Sequence, residues 1–110
     1  MEFQNQELET LAESLCTFKE FLHYYVNYKE ECVEKEEEAQ LFASSLRDNI
    51  ERVVTEINGD CICVTAMSAL KGIGQGNLDN QNITMFMDGF DDLIEMLMRC
   101  DVTDSFTEAS

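Results

Sequence analysis

Proline is absent from this chain of 110 residues, histidine occurs once, and lysine and arginine together number seven against 23 acidic residues. Without proline, nothing obliges a helix interior to break, and long helices joined by few turns are expected. The shortage of bases leaves a formal charge of −16. That charge argues against a nucleic-acid backbone or an anionic membrane as direct ligand and for either solubility or a basic protein partner. No stretch approaches the roughly 18 consecutive apolar residues of a membrane span. The opening Met1-Glu2-Phe3 also lacks the basic start and apolar run of a secretory signal, so a cytoplasmic, intracellular chain is expected. His23 has no nucleophile or acid paired with it by spacing, so neither an enzyme nor a catalytic residue is expected.

Disulfides are not expected either. The five cysteines (Cys16, Cys32, Cys61, Cys63 and Cys100) are odd in number and lie among periodic apolar positions, as reduced thiols acting as small hydrophobes do. Cys61-x-Cys63 lacks the second ligand pair of a zinc site, and no metal or cofactor is expected. Asn77, Asp79, Gln81 and Asp88 only loosely echo a calcium loop, with Asn82 where that loop needs glycine.

What the chain does have is apolar periodicity. At 45% apolar, 110 residues can bury one modest core, and a single helical domain over residues 1–100 is expected, with a flexible tail over 101–110. Acidity does not mark off a separate tail: residues 1–57 carry 14 acids and 5 bases, and residues 58–110 carry 9 and 2.

Leu8, Leu11, Leu15, Phe18, Leu22 and Tyr25 alternate three and four apart, the spacing that lines one side of a helix. Phe21, Tyr24 and Tyr28 form a second ridge about 100° around, so this helix has more apolar surface than one neighbour covers. A helix from Gln6 to the low thirties would span about 42 Å, longer than a compact globule of this size, which predicts an elongated or oligomeric fold. The same register continues through Lys29 to Ile57, so one long helix is conceivable. Charged and small residues weaken the seam, however, and a break near Glu34–Glu38 is favoured.

The second helix should cover about Glu37–Ile57, with Leu46, Ile50, Val53, Val54 and Ile57 inward and Asn58-Gly59-Asp60 ending it. Cys61–Leu70 is apolar on every side. Helix is favoured over strand there because a lone strand would leave its backbone unpaired. Gly72-Ile-Gly-Gln-Gly-Asn reads as a flexible connector, since a dinucleotide loop would need glycine at Asn77. The last helix, about Asn80–Cys100 with Asn80 or Asn82 as N-cap, turns Ile83, Phe86, Phe90, Leu93, Ile94 and Leu97 one way and Asp88, Asp91, Asp92 and Glu95 the other. Four methionines flank its apolar stripe and fill core or serve an adaptable surface.

The expected fold is therefore an all-α, elongated bundle of about four helices, two long and two shorter, that self-associates as a homodimer. Two functions fit it. In the first, the chain is an inhibitor or nucleic-acid mimic whose Asp88, Asp91, Asp92 and Glu95 occupy the basic groove of a nucleic-acid-handling protein. In size and composition alone it resembles small acidic immunity proteins and phage-type antagonists. In the second, it is a structural or adaptor protein that contacts partners, or its own copies, through Phe21, Tyr24 and Tyr28. The plain alternative for the acidic row is a solvated helix face, and for the aromatic ridge a core.

Overall fold

The structure, a computed structural model, describes residues 3–56 and 64–109, with side chains described through Asp101 and, after the gap, from Thr65. Every regular element among them is helical: α1 (Gln6–Asn27), a 3₁₀ segment (Lys29–Lys35), α2 (Glu36–Glu56), α3 (Val64–Gly74) and α4 (Asn80–Ala109). The all-α bundle of about four helices is thus the observed fold. It measures 52 × 22 × 21 Å. The length follows α4, whose 30 residues span about 45 Å at 1.5 Å rise per residue.

Contacts between distant residues fix the topology. Arg52, late in α2, pairs with Glu7 at the start of α1 (3.6 Å), and the Tyr25 hydroxyl donates to Glu36 at the opposite end (2.8 Å), so α1 and α2 run antiparallel. Gly74 lies against Ser44 and Gly76 near Gln40, while Ala66 lies against Gly89 and Gly72 against Asn82, which sets α3 antiparallel to both α2 and α4. Phe18 meets Phe86 edge-on at 5.4 Å, and Lys29 Nζ donates to Asn80 Oδ1 at 3.0 Å, so α1 also packs on α4. The result is an up-down-up-down bundle, with each helix beside two others.

The core is the one the periodicity implied. Leu8, Leu11, Leu15, Phe18, Leu22 and Tyr25 are all buried, as are Leu46, Ile50, Val53 and Val54 of α2. Each large apolar side chain so buried contributes about 1.5–3 kcal/mol. From α4, Ile83, Phe86, Phe90, Leu93 and Leu97 enter the same core, while Ile94 is only partly covered. Ile57, Asn58-Gly59-Asp60 and the opening of the 61–70 stretch lie outside the described residues.

Four boundaries differ from those read off the sequence. First, α1 stops at Asn27, because Tyr28 takes φ −136°, ψ 50° and its N–H closes on the Tyr24 carbonyl at 2.9 Å. The charged stretch after it buries only Cys32 and coils as a 3₁₀ turn, and α2 begins at Glu36. The break therefore covers residues 28–35, since with one buried anchor there is little packing to hold an α-helix there, while Glu36, Glu37 and Glu38 form the first turn of α2.

Second, the glycine-rich stretch is mostly helix. Gly72 and Gly74 belong to α3, and Gly74 touches α2 so closely that a Cβ would collide with Ser44 Oγ. Only Gly76, at φ 103°, takes the left-handed conformation. The Gly76 N–H bonds the Ile73 carbonyl (3.0 Å) and the Asn77 N–H the Gly72 carbonyl (2.9 Å), closing the helix in a Schellman motif.

Third, the cap of α4 is Asp79, whose Oδ1 accepts the Asn82 N–H at 2.9 Å. Asn82 itself is occupied in holding the Asn77 carbonyl (2.7 Å). Fourth, α4 does not end at Cys100: its backbone stays helical to Ala109, through the stretch expected as a tail.

Candidate protein-binding surfaces

The acidic row of α4 has the geometry its spacing implied. Asp88, Asp91, Asp92 and Glu95 stand at i, i+3, i+4 and i+7 and are all exposed. Glu95 pairs with Arg99 at 2.6 Å, whereas Asp88, Asp91 and Asp92 form no ion pair among the described residues. The backbone beneath them is held firmly, because Gly89 faces inward onto Ala66 of α3 at a separation that admits no Cβ. Three carboxylates thus project from a helix whose rotation and height are set by that contact.

The aromatic ridge is not one surface. Phe21 is half-buried, its ring parallel to Phe18 at 6.3 Å and tilted against Tyr25 at 6.1 Å. Tyr24 and Tyr28, 47% and 50% exposed, lie against each other with ring centres 4.7 Å apart and planes tilted by 33°. The Tyr24 hydroxyl donates to Glu31 Oε2 at 2.9 Å, and that bond, with the carboxylate's charge, raises the tyrosine's pKa. Tyr25, one position on, faces the core. Burial first, and its bond to Glu36 second, push its pKa up to about 12.

Phe21 contributes instead to a groove of about 310 Å³ between α1 and α2. Phe18, Phe21, Ala39 and Phe42 form its apolar wall, and Lys35 and Glu38 stand at its edge. Phe42 is 38% exposed and lies 5.5 Å from the Phe18 ring; Leu41 beside it is also exposed. Phe42 and Leu41 are not among the contact residues expected from the sequence. They had left a trace, being large apolar residues outside the α2 register of Ala39, Ala43, Leu46 and Ile50.

Other candidates fall away or lie elsewhere. His23 is exposed. No group of three or more potential metal ligands occurs among the described residues, and Cys61-x-Cys63 lies outside them. Cys16 and Cys32 are free thiols. No described helix is long and apolar enough to cross a membrane.

Comparison with known protein families, with curated proteins and with solved structures gives no match.

Proposed function

We propose that this chain is a small acidic protein-binding module, without catalytic activity of its own, that inhibits or competes in a basic, nucleic-acid-handling groove. The supporting observation is the α4 row, with Asp88, Asp91 and Asp92 exposed and unpaired among the described residues on a tightly packed helix. From Asp88 to Glu95 the row runs about 10 Å at 1.5 Å per residue. Phosphates on one DNA strand rise about 3.4 Å apiece, so four carboxylates over that length match a backbone's spacing, with Arg99 offsetting the charge of Glu95 at one end. A groove built for phosphate can therefore accept this helix. A preorganised row also loses less entropy on docking than flexible acids would.

A partner recovered with the intact protein as bait tests the reading. Duplex DNA should displace the protein from that partner, affinity should fall steeply with salt, and Asp91→Lys, Asp92→Lys and Glu95→Lys together should abolish binding while leaving the helical signal intact. Salt-insensitive binding that survives the triple reversal would sink it. The adjacent, exposed Tyr24 and Tyr28 rings favour a second reading, an adaptor that contacts partners or its own copies through that patch. In that case substitutions at Phe21, Tyr24 and Tyr28 do the damage, and sedimentation reports a homodimer.

A further inference from the structure

We propose that the groove between α1 and α2 receives a basic amphipathic helix from another protein, with apolar anchors on the phenylalanine wall and lysines or arginines on the acidic rim. This surface is separate from the α4 row and does not depend on it. Three observations select the occupant.

The first is the wall. Phe18, Phe21, Ala39 and Phe42 line a trough of about 310 Å³, at the lower end of the roughly 300–1,000 Å³ range of sites that engulf small molecules. Phe42 and Phe21 remain partly uncovered in the folded chain, so an incoming apolar side chain has aromatic surface to remove from water.

The second is the rim. Glu38, exposed on α2, lines the groove. Across the trough, Glu13 and Glu20 are exposed at four residues before and three after Thr17, which also lines it, so they share its side of α1. Lys35 is the single base among the lining residues. Three carboxylates, Glu13, Glu20 and Glu38, beside one ammonium set a negative potential that draws a basic segment. The same potential repels a second copy of a chain with charge −16.

The third is the backbone. The groove lies between two helices whose own backbone hydrogen bonds are internal, and no strand edge occurs among the described residues. An extended peptide would enter with its N–H and C=O groups unmatched, whereas a helix carries its own bonds and presents side chains at i, i+3, i+4 and i+7.

The probe is a fluorescently labelled leucine–lysine amphipathic helix of about four turns. Controls are the same peptide with serine for leucine, and its leucine–glutamate counterpart. Saturable binding of the leucine–lysine peptide alone is expected. Phe42→Ala should weaken it about tenfold or more, and Glu20→Lys with Glu38→Lys should weaken it and flatten its salt dependence, while the α4 triple reversal leaves it unchanged. Amide shift changes in the unsubstituted protein locate the peptide without any mutation, and they should centre on Phe18, Phe21, Ala39 and Phe42. Shifts centred on α4 or scattered over the surface overturn the proposal, as does equal binding of the leucine–glutamate peptide. A dimer in sedimentation that Phe42→Ala converts to monomer also overturns it, by showing a second copy in the groove.

Discussion

The carboxylate of Asp101 accepts the backbone N–H of Asn5 at 2.7 Å, joining the start of α1 to the later part of α4 across 96 positions. The same carboxylate takes the Gln4 N–H at 2.9 and 3.1 Å, and Asp101 is only 7% exposed. Asn5 meanwhile caps α1, its Oδ1 accepting the N–H groups of Glu7 (2.9 Å) and Leu8 (3.3 Å). Asp101 therefore fixes the residue that starts α1, and places a negative charge near the positive end of that helix.

Asp101→Ala should destabilise the fold by about 1–3 kcal/mol, the range for leaving partly buried donors unsatisfied. A chain ending at Cys100 should lose at least as much. Denaturant midpoints measure both, and an unchanged midpoint for the shortened chain would mean that residues 101–110 are a dispensable tail.

Gly89→Ala sets two effects against each other. Alanine is the better helix former by about 1 kcal/mol. Its Cβ, however, would stand 3.0 Å from the Ala66 backbone nitrogen and 2.9 Å from the Ala66 Cβ, with little freedom to relax. Overpacking of this kind costs about 1–3 kcal/mol, so net destabilisation is expected in thermal or chemical unfolding. A gain in stability would show that α3 and α4 are less closely packed.

Alkaline pH should weaken the fold through Tyr25. Its folded pKa of about 12 lies above the unfolded value near 10, so the folded state favours the neutral hydroxyl. The resulting stabilisation is fully present below about pH 10 and is lost as pH rises through about 12. Tyr24 is shifted in the same direction by Glu31, so Tyr25→Phe should reduce the loss without removing it. Unfolding midpoints across this window, with tyrosinate absorbance to follow ionisation, provide the check. Identical slopes for the variant and the unsubstituted protein would show that Tyr25 is not buried against Glu36.

What sequence alone determined is what successive residues impose on one another. The stripe from Leu8 to Tyr25 is buried throughout, because a 3.6-residue turn brings those positions to one side whatever they pack against. By the same local geometry, Asp88, Asp91, Asp92 and Glu95 share an exposed side of α4. Only the tertiary structure decided the features that need a distant partner. Gly72 and Gly74 read as a connector until α3 is seen pressed against Asn82 and Ser44, where their missing side chains allow close approach. Phe21 reads as part of a ridge with Tyr24 and Tyr28 until α2 brings Phe42 to its side and makes a groove. Asp101 reads as the start of a tail until the antiparallel course of α1 and α4 sets it beside Gln4 and Asn5. Periodicity tells which side of a helix is apolar; the neighbour that covers it, and the polar atoms that close its ends, depend on chain segments tens of residues away.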